Sequence, residues 1–323
     1  MKPLVSIVIP TLNRAHVIDR ALKSCQQQTF QDFEVIIVDD HRSKDDIAQA
    51  TAFFDQSRLR LMLGFEGSAA AARNAGARAG QGEFISFLDS DDEFLPNKLE
   101  RCIDALRKGD ADVVYSQTYV DRGVNRLWIK PRDGIESSSD IFEYFFVNEG
   151  WVHPSTVVLK AKCYEKCAFD EKLGFGDDEQ FAIDLARNGF KIQMIKEPLA
   201  IYSDPCDAQQ LSKTPIFEPS NSKSNQSFQE WSENLKHLMS ERTRAGFMAR
   251  RTARFVARQS PLKALSYVWQ AYKAGAVSSR RLLSLSALIF VPRTYHALSN
   301  VVANYGGIEV PDVVRKMRSP QVS

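Results

Sequence analysis

The chain has 323 residues, 44% of them hydrophobic and 25% charged, with a formal net charge of +2. That composition supplies a sizeable core and excludes a disordered or low-complexity chain, and the length suggests one large domain plus an appendage, or two domains. Five scattered cysteines without a C-x-x-C pair exclude a disulfide scaffold and read as free thiols in a reducing compartment.

In chain order, Leu4–Ile9 predicts a strand. Followed by Pro10, it is too short for a signal peptide or a membrane span. Val17–Gln27 predicts a helix, Phe33–Val38 a strand, Lys44–Phe54 a helix and Leu59–Leu63 a strand. Ser68–Ala79 predicts an Ala-rich helix capped by Ser68, Phe84–Leu88 a strand, and Leu95–Arg107 a helix that starts beside Pro96. Strand–helix alternation of this kind implies a Rossmann-like, mostly parallel α/β sheet with helices on both faces, whose ligands sit at the carboxyl ends of the strands.

After Val113-Val114-Tyr115 the alternation breaks. Residues 116–165 mix short β-like pieces with a helix near Asp140–Val147. A further helix runs from about Asp178 to Asn188, stopped by Asn188-Gly189, and Lys191–Ile195 and Leu199–Tyr202 are late strands. The division expected is a domain over 1–212, a linker at 213–227 rich in Ser, Asn, Lys and Pro, and a basic helical region over 228–323. In that region Phe228, Trp231, Leu235 and Leu238 form one apolar stripe, and Leu262, Leu265, Trp269 and Tyr272 another. Arg250, Arg254 and Arg258 share a helix face, with Arg251 alongside. From Trp231 onward there are 15 Lys and Arg against 4 Asp and Glu, so the basic end points to an anionic partner. No nucleic-acid-binding motif accompanies it, and a membrane surface is the expected partner. Leu282–Val291, the most apolar late stretch, is about half a bilayer span, so a cytoplasmic protein is expected, held peripherally at the inner face of the plasma membrane.

The chemistry concentrates at strand ends. Phe84–Leu88 runs into Asp89-Ser90-Asp91-Asp92, three carboxylates in four residues. Acids so crowded repel one another, and a hard divalent cation resolves the conflict; a solvated helix-capping turn is the bland reading. Asp39-Asp40 after the second strand suits a nucleotide base or ribose, or a helix cap. Arg73, within Ala72-Arg73-Asn74-Ala75-Gly76, suits a diphosphate, or is a surface arginine. Gly174-Phe175-Gly176-Asp177-Asp178-Glu179 suits a general base on a pliable loop, or acids favoured by a helix dipole. His153, before Pro154-Ser155-Thr156, reads as a polar loop or core residue without a catalytic role.

In their order, Ile9-Pro10-Thr11-Leu12-Asn13-Arg14, Val38-Asp39-Asp40, Ala72–Gly76, Phe87–Asp92 and Gly176-Asp177-Asp178 resemble the family 2 glycosyltransferases of the GT-A fold, over roughly residues 3–205. The resemblance implies an inverting, metal-dependent enzyme. Pro10, Thr11 and Asn13 with Asp39 would hold the nucleotide base, Arg73 would lie near the diphosphate, and Asp89, with Ser90 beside it, would touch the ribose. Asp91 would bind Mg²⁺ or Mn²⁺, and Asp178 would be the catalytic base, with Asp177 where Glu is usual. The donor implied is a UDP-sugar, and the acceptor a saccharide, lipid-linked, in bacterial surface polysaccharide assembly. Leu12 stands where Tyr is common, Ser43 falls one place late in the D-D-x-S-x-D pattern, and Asp184 replaces a common Arg, which bears on the acceptor side. A nucleotidyltransferase would need a Gly- and Lys-rich loop after the first strand, which is absent. A binding module without chemistry would not need both Asp91 and Asp178.

Overall fold

The first half consists of β1 (Val5–Thr11), α1 (Ile18–Gln26), β2 (Phe33–Asp39), α2 (Lys44–Thr51), β3 (Leu59–Leu63), α3 (Ala69–Ala79) and β4 (Phe84–Phe87). These come from a computed structural model that describes residues 2–11, 17–39, 44–135, 140–205, 223–257, 259–292, 295, 302 and 305–319. Alternate residues of a strand face opposite sides of the sheet. Ile7 and Ile9 of β1 therefore enter one core with Ile18 and Leu22 of α1, while Val8 enters a second core with Ala77 of α3. Both faces of these strands are apolar, so both must be covered by helices.

The four strands are parallel in the order β3-β2-β1-β4. Thr11 pairs with Asp39, and Val8 with Phe87, so the segments carrying Thr11, Asp39 and Asp89 leave the sheet at one edge. The Ala-rich composition of α3 has a packing reason. A Cβ on Gly76 would lie 2.4 Å from Val8 Cγ1 and 3.1 Å from Val38 Cγ2. Small side chains let α3 sit directly on the sheet, which sets Arg73 beside the end of β4. Ser68 caps the helix, its Oγ accepting from the Ala71 N–H at 3.2 Å.

The second half adds β5 (Glu93–Phe94), α4 (Lys98–Lys108), β6 (Val113–Asp121), β7 (Arg126–Lys130), α5 (Ile141–Phe146), β8 (Val157–Lys160), α6 (Ala161–Tyr164), α7 (Asp177–Arg187) and β9 (Ile192–Ser203). Here the sheet becomes mixed: β8 inserts antiparallel between β4 and β6, and β7 pairs antiparallel with β6. The two late strands expected over Lys191–Tyr202 are one strand. β9 runs parallel to β6, and residues 196–198, left between the two expected strands, carry a register shift opposite Ser116 and Gln117.

Residues 206–222 lie outside the described residues, and with them 213–222 of the expected linker; 223–227 are already the start of α8 (Lys223–Leu235). Next come α9 (Glu241–Phe247), a π-turn at Met248–Thr252, α10 (Ala253–Val256), α11 (Pro261–Lys273) and α12 (Ser279–Phe290). Phe228, Leu235 and Phe247 share a core with Phe87 of β4 and Phe181 of α7, so α8 and α9 are built into the same core as the sheet. The chain then returns to the sheet. Ile308–Glu309 pairs with β7, and Arg318 of the helix Asp312–Arg318 bonds Glu93 and, at 2.7 Å, Asp121.

Candidate active site

At the end expected to hold the nucleotide, Pro10 and Thr11 close β1 and Asp39 closes β2; all three are buried. The Thr11 hydroxyl has no hydrogen-bond partner among the described residues, as expected of a group that awaits a ligand. Asn13 lies outside the described residues, as do Leu12, Arg14, Asp40 and Ser43.

The centre of the site is Arg73. One guanidinium nitrogen donates to Asp89 at 2.7 Å and another to Asp177 at 2.9 Å, so three elements meet on one cation. Its planar fork suits two carboxylates at once. Burial opposes the charge, but Asp89 and Asp177 more than offset it and hold the guanidinium above its usual pKa. Asn74 ties the same turn of α3 to the loop before α7, donating to the Phe169 carbonyl at 2.9 Å and to Glu171 at 2.8 Å. Arg73, expected beside a diphosphate, thus spans two acids, and Asp89, expected on a ribose, is one of them.

Beyond Asp89 the acids separate. Ser90 and Asp92 are buried, while Asp91 is partly exposed and its carbonyl accepts from Arg20 at 3.4 Å. Asp92 accepts from the Ser155 hydroxyl at 2.5 Å and from the Ser203 N–H at 3.0 Å. Burial first, and then Asp89 and Asp91, drive its carboxyl well above the usual range. His153 lies between, with Nδ1 3.5 Å from Asp92 and Nε2 3.7 Å from Asp89. Burial lowers its pKa to about 4, so it is neutral, and Nδ1 accepts from the Ser155 N–H at 3.3 Å. The sequence reading gave His153 and Ser155 no role. They reach Asp92 only because β8 inserts beside β4; the His-Pro-Ser-Thr string itself was the only local signal.

One ligand atom each from Asp89, Asp92 and His153 lies within 4.8 Å of the other two. Two carboxylates and an imidazole are donors that suit Mn²⁺, and carboxylates alone suit Mg²⁺, so the residues present fit a divalent cation. Asp91 lies outside that trio. It is, however, more accessible than Asp92, whose two oxygens already accept hydrogen bonds.

Across Arg73, Gly176 starts α7 at φ +76°. A side chain there would be strained, and its Cβ would also lie 3.2 Å from the Phe228 ring. Three acids follow. Asp177 takes Arg73, and Glu179 takes Arg251 of the π-turn, whose Nε lies 3.1 Å away. Asp178 remains between them. Loss of solvent, and then the neighbouring Asp177, raise its pKa to about 7, with Arg251 and Arg73 opposing. A carboxylate so poised is matched to proton abstraction near neutral pH.

The family model for glycosyl transferase family 2 matches residues 6–160. The chain is 32% identical over 207 residues to the amylovoran biosynthesis glycosyltransferase AmsB of Erwinia amylovora, covering 61% of this chain and 68% of that one. It is 36% identical over 113 residues to the Escherichia coli enzyme WfgD, a UDP-Glc:alpha-D-GlcNAc-diphosphoundecaprenol beta-1,3-glucosyltransferase, covering 35% of this chain and 44% of that one. Residues 1–349 of S. aureus TarS in complex with UDP-GlcNAc superpose with a TM-score of 0.61 at 19% identity, over 94% of this chain and 91% of that one. At that identity the likeness establishes the fold, which is GT-A. With the motifs, the fold and a relative of this similarity in agreement, the chain belongs to glycosyl transferase family 2.

Proposed function

We propose that the protein transfers a sugar from a UDP-sugar to a hydroxyl of a lipid-linked saccharide, with inversion at the anomeric carbon, in bacterial surface polysaccharide synthesis. Asp178 carries this reading: a half-buried carboxylate of pKa about 7, joined through Asp177 and Arg73 to the acid cluster at the end of β4. Thr11 and Asp39 would hold the nucleotide, and Asp89, kept in place by Arg73, would face the donor. Asp178 would accept the acceptor hydroxyl proton as its oxygen bonds to the anomeric carbon. The bond from that carbon to the diphosphate breaks from the opposite side, and its electron pair leaves with UDP. Asp91 would hold Mg²⁺ or Mn²⁺, which when bound offsets the charge on the departing diphosphate. Asp92 and His153 would brace the loop that carries Asp91. The UDP donor and the lipid-linked acceptor follow from the activity named for WfgD.

The partner surface is an anionic membrane leaflet, on the cytoplasmic side. Residues 242–308 contain 11 Lys and Arg and no Asp or Glu. Of the four clustered arginines, Arg250 pairs with Glu149 at 2.9 Å and Arg251 with Glu179, while Arg258 lies outside the described residues. The two apolar stripes also differ. In the first, Phe228 and Leu235 are buried and Leu238 is exposed at its end, whereas in the second Leu262 is 74% exposed and Trp269 47% exposed, flanked by exposed Lys263 and Lys273. Among the described residues no helix is long and apolar enough to cross a membrane. A face of this composition suits a peripheral site.

The test is release of UDP from UDP-glucose and UDP-GlcNAc with Mn²⁺, with and without a lipid-linked saccharide. Metal-dependent release that the acceptor accelerates is expected. Turnover of GDP-sugars alone would overturn the donor assignment.

A further inference from the structure

We infer that Arg251, in the C-terminal helical region, is a positioning residue of the active site: it clamps the first turn of α7 through Glu179 and supports the ionised form of Asp178. The inference rests on the reading of Asp178 as the base.

Four observations support it. Glu179 is 4% exposed, and a carboxylate so buried is costly without a partner. Arg251 supplies that partner with both sides of its fork, Nε at 3.1 Å from Oε2 and a terminal nitrogen on Oε1. The residue also occupies a π-turn, Met248–Thr252, an irregularity that re-aims successive side chains and is frequent at functional sites. Its neighbour Arg250 diverges accordingly, to the Val147 carbonyl at 3.2 Å and to Glu149. Finally, Phe228 and Phe255 pack on Phe175, centroids 4.3 and 5.2 Å away, so the C-terminal region is seated on the glycine loop that starts α7.

Among the described residues, the charged groups around Asp178 are few. Asp177 and Glu179 flank it on α7, Arg73 faces it from α3 with Asp89 behind, and Arg251 faces it from the π-turn with Arg254 beside it. Glu179 does not use up the influence of Arg251, whose charge still favours the carboxylate form of Asp178. An ion pair between the C-terminal region and the catalytic helix thus sets both the place and the proton affinity of the base. It also links any contact made by the C-terminal helices to the reacting group.

The experiment uses the whole chain with UDP-glucose, Mn²⁺ and water as acceptor, and follows UDP release between about pH 5 and 9. Arg251→Met removes the cation. The rising limb of the pH profile is expected to move up by about 1 unit and the plateau to fall several-fold, with the affinity for UDP unchanged by calorimetry. Arg251→Lys keeps the charge and should return the limb toward its parental position. A slower Arg251→Met enzyme with an unmoved limb would reduce the pair to a structural role and overturn the inference. Should that variant not fold, Glu179→Gln decides: it removes a negative neighbour while leaving Arg251, so the limb should move down, and an unmoved limb overturns the inference. Asp178→Asn separates the two claims. If the limb persists in Asp178→Asn, the base itself is misassigned. If it disappears there and yet ignores Arg251→Met, the positioning role alone is wrong.

Discussion

Arg73→Met tests the centre of the site. Methionine fills much of the same volume but gives nothing to Asp89 and Asp177, now held at 2.7 and 2.9 Å. Removing one member of a buried ion pair costs about 3–5 kcal/mol. Arg73 is 8% exposed by side chain, but its partners are 21% and 19% exposed, and water can reach the stranded acids. The expected cost is therefore about 2–3 kcal/mol, a fall in Tm of about 3–6 °C for a chain of this length. The pH dependence has a definite sign. Burial, and then Asp177, raise the Asp178 pKa to about 7, and Arg73 opposes this. Losing Arg73 raises it further, so the base form is reached at higher pH and the rising limb of activity moves up. Arg73→Lys, a point charge that can satisfy one acid, should recover part of both effects. Thermal melts together with a pH–rate profile of UDP release form the assay. A Tm within about 1 °C of the parent and an unmoved limb would refute the bridge as the organiser of the site.

The other expectations concern metal, packing and membrane. Asp91→Ala should abolish the increase in UDP affinity produced by Mn²⁺, measured by calorimetry; equal affinity in variant and parent would remove Asp91 from the metal assignment. His153→Gln should lower Tm yet leave that metal effect within a few-fold, and its loss would instead place the ion with Asp89, Asp92 and His153. Gly76→Ala puts a methyl 2.4 Å from Val8 Cγ1 and should cost about 1–3 kcal/mol with reduced turnover, because α3 must shift and Arg73 with it. The protein should co-sediment with anionic liposomes, less so in high salt, and Leu262→Glu combined with Trp269→Glu should prevent it; binding indifferent to lipid charge or to these substitutions would refute the membrane face. Truncation near Lys223 is not a clean alternative, since it also removes the bonds of Arg318 to Glu93 and Asp121.

What could be read from the chain was what depends on neighbours in sequence. The apolar runs of β1, β2 and β4, the cap at Ser68 and the acids at strand ends are local signals, and they place the candidate site at one edge of the sheet. The elements that complete the site are non-local. Ser155 meets Asp92 across 63 residues, Asp177 meets Arg73 across 104, and Arg318 meets Glu93 across 225. The late strands expected over 191–195 and 199–202 are one, because β9 carries the residues between them through a register shift that only its pairing with β6 reveals. The stripes of Phe228 and Leu262 have the same helical spacing, and only packing decides that Phe228 and Leu235 are buried while Leu262 and Trp269 are exposed. The four arginines read as one basic cluster facing an anionic partner show the same limit. Charge was visible in sequence, but Glu149 and Glu179, which take two of them, stand about 100 and 70 residues upstream.

The most direct test of the central claim sets the turnover of Asp178→Asn against its affinity for UDP and Mn²⁺. The substitution keeps the shape of the side chain and leaves Arg73 and Arg251 paired with Asp89, Asp177 and Glu179. Affinity within about twofold of the parent and a rate lower by about 10²–10⁴-fold, the usual contribution of a positioned general base, is the expected result. Transfer within a few-fold of the parental rate would contradict it and direct attention to Asp177.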